Sequence, residues 1–217
     1  MERLLVPVPL ETPARPVPPA PVRAFLKEAG ERIETFVHDR GAGALPAFVP
    51  SDSLRVYGAL RAIAAGHLAP ERTLCEWGSG FGVVAGLASM LGFRAWGIEI
   101  EPELVQQAES LAADFGLDAA FACGTYVPHG GEAFTDEVSE FAWLKPGGAD
   151  GHAALERDPD EFGVIFAYPW PGEEAVVEAL FDRFAAEGAL LLTWRGREGL
   201  SLHRRTTRPG AARAPRR

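Results

Sequence analysis

The 217-residue chain has only two cysteines, Cys75 and Cys123. Two thiols cannot build a disulfide framework or a four-cysteine zinc site. Lysine is nearly absent too: Lys27 and Lys145 stand against nineteen arginines. No apolar run approaches the roughly 20 residues that a membrane helix needs, so no membrane partner is expected. The start, Met1-Glu2-Arg3-Leu4-Leu5-Val6-Pro7, has an acid and a proline where a signal peptide has a basic segment and an unbroken apolar stretch. The expected compartment is therefore the cytoplasm. His38, His67, His129, His152 and His203 show no metal-ligand spacing and read as solvated, so no metal is expected. Cys75 and Cys123 both read as packing residues.

The charge present is unevenly spread. The net charge is −9. From Arg195 to Arg217 eight arginines meet one acid, Glu198, which makes that segment +7 and leaves −16 on residues 1–194. A basic tail suits a phosphate backbone, but this one lacks interleaved aromatics and reads as a solvated tail over 207–217. Seven prolines fall within residues 6–21. Such density favours stiff, extended backbone, so 1–21 reads as a disordered arm.

Between these ends the periodicity is informative. Phe25, Ile33, Phe36 and Val37 recur at helical spacing over 21–40, as do Leu54, Val56, Tyr57, Leu60 and Ile63 after a cap at Ser51 or Ser53. Residues 22–69 thus form an N-terminal helical cover. From Pro70 onward strand and helix alternate: strands at 73–77, 94–100, 118–123, 162–168 and 189–194, with a further candidate at 200–206. Helices at 83–91, 103–115 and 173–186 lie between them. Alternation with apolar strands implies a parallel sheet covered on both faces, an α/β doubly wound domain over 70–206. The exception is 125–161, which carries nine acids and two bases. It reads as a flexible acidic insertion, with one short helix over 134–144.

Glu76-Trp77-Gly78-Ser79-Gly80-Phe81-Gly82 directly follows a strand and precedes a helix. Glycines there let backbone turn tightly and approach a ligand. Two ligand classes use such a loop. A dinucleotide sets its pyrophosphate on the helix N-terminus, whereas S-adenosylmethionine lays its amino-acid part and sugar across the loop. Glu76, two residues before the first glycine, would repel a pyrophosphate and attract an ammonium group. Glu99, ending the next strand in Gly97-Ile98-Glu99-Ile100, is placed to accept hydrogen bonds from two ribose hydroxyls.

On these residues the chain resembles the class I S-adenosylmethionine-dependent methyltransferases, from about Leu54 to Trp194. The resemblance implies a Rossmann-like fold and S-adenosylmethionine as cofactor. It implies cofactor contacts from Glu76, Gly78, Ser79, Gly80, Gly82, Glu99, Ile100, Thr125 and Tyr168. Thr125 stands where such enzymes often carry an acid near the adenine. The fold's usual C-terminal antiparallel hairpin has only 200–206 to build it here, so that sheet edge reads as truncated or completed by a partner chain. Tyr168-Pro169-Trp170-Pro171, at the end of the fourth strand, resembles in part the Asp/Asn-Pro-Pro-aromatic segment of enzymes that methylate amino groups. Tyr168 and Trp170 are the catalytic-site candidates, able to wall a cationic or planar acceptor. Glu173 and Glu174 read as helix-dipole partners. Ala47-Phe48-Val49-Pro50-Ser51 is locally similar to the lysine methyltransferases of the ATP synthase c subunit, and Phe48–Ser51 could close over the cofactor. The function expected is in-line methyl transfer to a small molecule or a protein amine or other nucleophile, rather than to nucleic acid. The alternatives are a non-catalytic cofactor-binding protein on the same fold and a nicotinamide-dependent oxidoreductase.

Overall fold

The computed structural model describes residues 3–12, 16–40, 49–135 and 148–207. Its elements are β1 (Arg3–Pro7), α1 (Ala20–Arg40), α2 (Ser53–Ala65), β2 (Thr73–Trp77), α3 (Val83–Met90), β3 (Arg94–Glu99), α4 (Pro102–Asp114), β4 (Ala119–Cys123), α5 (Gly151–Leu155), β5 (Val164–Ala167), α6 (Glu174–Phe184), β6 (Leu190–Trp194) and β7 (Leu200–Thr207). One seven-stranded open sheet has the order β1-β7-β6-β5-β2-β3-β4. Strands β2 to β6 pair in parallel, whereas β7 is antiparallel to β6 and β1 antiparallel to β7. Among the described residues no helix is long and apolar enough to cross a membrane.

Strand alternation divides the core into two layers. Leu74, Val164, Phe166, Leu190 and Leu192 face a cluster with Phe25, Tyr57, Leu60, Ile63 and Leu87 of α1, α2 and α3. Cys75, Ile165 and Leu191 face the other way, onto Val177, Leu180 and Phe181 of α6. Both faces are therefore apolar, as a buried parallel sheet requires. The chain steps outward from β2 through β3 to β4, then returns to the other side of β2 as β5. The carboxyl ends of β2 and β5 thus flank the switch point, where doubly wound sheets hold ligands.

Four expectations from the sequence need correction. Residues 3–7 are not a disordered arm. They pair with β7 in register Leu4↔Thr206 to Pro7↔His203, and the chain's own N-terminus thereby completes the edge that read as truncated. Proline tolerates this position because an edge strand has one side free of partners, and Leu5 adds to the core beneath α6. Pro16 and Pro18, farther along the arm, are buried. Secondly, α2 is capped by Asp52, whose side chain accepts the Arg55 N–H at 3.1 Å, and not by Ser51 or Ser53.

Thirdly, the second part of the acidic insertion is structured. Asp150 caps α5 by accepting the His152 and Ala153 N–H groups at 2.8 and 3.1 Å. A capping box between Asp158 and Glu161 closes a short turn at Pro159–Glu161. These acids act as caps, which composition alone conceals. His152 is accordingly 2% exposed and not solvated. Most of the helix expected over 134–144 lies outside the described residues, as does the tail from 208. Finally, Cys123 is exposed, its thiol near the Ile100 carbonyl at 3.6 Å, while Cys75 is buried.

Candidate functional site

A cavity of about 580 Å³ opens at the switch point. Its floor is the glycine loop between β2 and α3. Gly78, Gly80 and Gly82 all have positive φ, +73°, +52° and +66°, a region other residues enter only with strain. Gly82 also lacks room: a Cβ would lie 2.4 Å from Cζ of Phe121. Gly82 is the residue before α3 and does not line the cavity, in contrast to the other loop glycines of the expected site.

The loop's donors are already engaged. The N–H groups of Gly78 and Ser79 both donate to the Ile98 carbonyl at 2.9 Å, and Gly82 donates to the Ser79 carbonyl at 2.7 Å. Gly80 donates to Oε2 of Glu99 at 2.8 Å. The first turn of α3 is closed as well, because Oε2 of Glu76 accepts the Ala85 N–H at 2.9 Å. A pyrophosphate would need these donors and would meet a carboxylate instead.

Glu76 is 5% exposed. Burial pushes its carboxyl up to about 8, against the opposing pull of the Ala85 and Val84 N–H groups. Glu99 is also raised by burial, opposed by the N–H groups of Glu101, Gly80 and Ile100. Its Oε1 accepts from Ile100 at 2.7 Å and Glu101 at 3.0 Å. With three of about four lone-pair sites occupied, Glu99 keeps room for one further donor and not for the two hydroxyls expected.

The lining sets the chemistry. Glu76, Glu99, Glu101 and Glu173 all face the cavity, and no lysine, arginine or histidine does among the described residues. Such a surface offers a phosphate no basic partner among the described residues and offers a cation several acid side chains. Tyr126, Tyr168 and Trp170 are aromatic side chains of the lining, beside Trp77 of β2, Phe81 of the loop and Phe166 of β5. Tyr126 stacks on Trp77 with ring centroids 5.3 Å apart and planes 7° from parallel. Trp77 in turn meets the buried His152 edge-on at 6.0 Å. Among the described residues, no group of three histidine, cysteine or acidic side chains could hold a metal.

The structure gathers Glu76, Gly78, Ser79, Gly80, Glu99, Ile100, Thr125, Tyr168 and Trp170 on one cavity wall system. Thr125 is 6% exposed, and its hydroxyl accepts the Val127 N–H at 3.2 Å. Of the lead-in segment, Ala47 and Phe48 lie outside the described residues, while Val49, Pro50 and Ser51 line the opening beside Ile33 of α1. Sequence reasoning missed Tyr126, Glu101 and Glu173 as lining residues. Glu173 carries the only readable signal, a glutamate two residues after the Pro-Trp-Pro turn. It is 3% exposed and forms part of the wall, with a larger place in the site than a helix-dipole partner has.

No protein-family model matches the chain, and no curated protein does. The similarity to the c-subunit lysine methyltransferases is thus not shown by either comparison. Solved structures do match. A methyltransferase from Geobacter sulfurreducens is 16% identical with a TM-score of 0.54, over 88% of this chain and 93% of that one. An RNA methyltransferase from Salinibacter ruber, in complex with S-adenosyl-L-homocysteine, is 20% identical over 76% of this chain and 97% of that one, with a TM-score of 0.48. An O-methyltransferase from Bacillus cereus, also in complex with that compound, is 14% identical over 82% of this chain and 66% of that one, with a TM-score of 0.49. Sheet order, glycine loop and the Geobacter match agree: this chain has the Rossmann-like methyltransferase fold.

Proposed function

We propose that the protein binds S-adenosylmethionine in the switch-point cavity and transfers its methyl group to an acceptor entering beside Tyr168–Pro171. The observation that carries this reading is the charge and donor balance of the loop. Every loop N–H named above already has a partner in the chain, Glu76 closes α3, and four glutamates line the space without a base among the described residues. That cavity suits a cationic cofactor and opposes a dinucleotide.

The residues present fit the group. Glu99 would accept one ribose hydroxyl, and Glu76 would face the ammonium end. Ile100 and Thr125 would flank the adenine, and Tyr168 would lie towards the transferable methyl. The cofactor supplies a methyl group on a positively charged sulfur, a good leaving group for in-line displacement. The protein's part is then to align the acceptor and exclude water. The acid lining disfavours a phosphodiester, so a small molecule or a protein side chain is the better acceptor than nucleic acid. A reducing cytoplasm suits the two free thiols.

Titration calorimetry on the full chain tests the reading. S-adenosylmethionine and S-adenosylhomocysteine should bind and NAD should not. Binding of NAD, or no binding of either adenosyl compound at high micromolar concentration to folded protein, would overturn it.

A further inference from the structure

Tyr168 and Trp170 follow β5, and Glu173 immediately precedes α6; all three line the cavity together with Tyr126, whose phenol feels the Glu173 charge. Glu173 is fixed by a reciprocal pair. Its Oε2 accepts the Trp170 N–H at 3.2 Å, and its own N–H donates to the Trp170 carbonyl at 2.9 Å. The proline on each side of Trp170 stiffens this turn, so the carboxylate holds its place in the wall before any acceptor arrives.

Resting on the cofactor reading above, we infer that the acceptor is an aliphatic amine, its nitrogen held between the Tyr168 and Trp170 rings and the Glu173 carboxylate. Three features converge. Aromatic faces and a carboxylate together suit an amine N–H donor and the methylated ammonium that forms from it. An anionic acceptor would be repelled by the Glu173 carboxylate. A hydroxyl acceptor must lose its proton to a base of matching strength. The described lining offers only glutamates for that task, with neither histidine nor lysine, and burial holds the Tyr126 phenol protonated.

An amine needs no base at the transfer step. It enters neutral, its ammonium proton left in solvent, and one N–H donates to Glu173. The nitrogen lone pair forms the N–C bond while the C–S bond breaks and its electron pair stays on sulfur. Positive charge passes from sulfur to nitrogen, beside the Glu173 carboxylate, which stabilises it as it develops. The product leaves as the methylated ammonium, and no proton is transferred inside the site.

The test uses the full chain with saturating S-adenosylhomocysteine and reads the tryptophan fluorescence of the cavity wall. Butylamine, putrescine and a lysine-containing peptide should each give a saturable change, and butanol and butyrate none. With tritiated methyl donor, label should enter the amines only, and the faster of the free amines or the peptide identifies the acceptor's source. Glu173→Gln should weaken amine binding roughly 10–100-fold, the scale of one charge-assisted hydrogen bond, and leave S-adenosylhomocysteine affinity within about twofold. If that variant melts, the wild-type panel decides alone. Adenosyl-compound binding without amine binding, transfer to butanol or butyrate instead, or an unchanged folded Glu173→Gln variant overturns the amine inference and leaves the cofactor reading standing. Absence of adenosyl-compound binding overturns both.

Discussion

Oε2 of Glu76 sits 2.9 Å from the backbone nitrogen of Ala85, so the last acid of β2 caps the helix that follows the glycine loop. The pairing settles which electrostatic field this loop presents. In many glycine loops the helix N-terminus is left open as an anion site. Here the positive end of α3 is answered by the chain's own Glu76, and the cavity beside it is lined by glutamates and by no basic side chain among the described residues. The same contact explains how a buried glutamate is tolerated, since helix N–H donors oppose the cost of desolvating it.

Glu76 should make cofactor binding proton-linked. Its carboxyl is pushed up to about 8 in the folded protein, above the ordinary value near 4.3. The stability this proton contributes is fully present below the unfolded value and is lost as pH rises towards 8. A cation placed beside Glu76 favours its ionised form, so S-adenosylmethionine should bind more tightly from pH 6 upward and level off above about 8. Calorimetry at pH 7 in buffers of different ionisation enthalpy should show release of part of a proton. Glu76→Gln should bind more weakly and release none.

At Gly82 of the glycine loop a methyl group should be costly on two counts. There the φ of +66° and the 2.4 Å approach of Phe121 to a built Cβ act together. Positive φ costs about 1–3 kcal/mol for an ordinary residue, and overpacking a comparable amount. Gly82→Ala should therefore lose about 2–4 kcal/mol in urea unfolding. Gly78→Ala, with φ +73° and nothing within 4 Å of a Cβ, should show the conformational cost alone and melt at a higher temperature than Gly82→Ala.

The fold was legible where sequence periodicity and local signals agree. The strand at 73–77 and the helix beginning at Pro102 show it, because an apolar run and a proline at a first helical turn leave few alternatives. β1 was hidden because its five residues carry a proline and gain their partner from β7, almost 200 residues away. Asp150 and Asp158 were read as loop charge, although each caps a turn. In the site, Glu76 and Glu99 stood out because they flank glycines at the ends of strands. Tyr126 and Glu173 did not, since the feature that marks them is burial in a shared wall, and burial is a tertiary property.

The N-terminal strand should matter to stability and solubility. Without residues 1–10, β7 becomes an unpaired edge and loses its Leu4–Pro7 ladder, and the core beneath α6 loses Leu5. Exposed edges invite association. The truncated protein should melt at a lower temperature than the full chain and show larger species on gel filtration. Leu5→Asp, which keeps the strand and spoils its apolar contact, should fall between the two.

His152 should set the acid limit of the fold. Its ring is buried against Trp77 and Phe162, with Nδ1 3.2 Å from the Arg157 carbonyl. A carbonyl only accepts, so Nδ1 carries the proton in the neutral ring, and Nε2 is buried. Burial lowers the imidazole pKa, opposed by the Arg157 and Tyr126 backbone and by the charges of Asp150 and Asp158. The neutral ring's contribution is therefore present above the unfolded value near 6.5 and is lost as pH falls through the folded one. Glu76 works in the opposite sense over the same range, so the histidine is best read in a Glu76→Gln background. There, unfolding free energy should fall from pH 6.5 downward, and Trp77, which meets His152 and stacks on Tyr126 in the cavity wall, should report the change in its fluorescence. Adding His152→Gln should cost about 1–2 kcal/mol at pH 7 through lost packing and flatten the acid decline. An unaltered decline in the double variant would place the acid limit elsewhere in the fold.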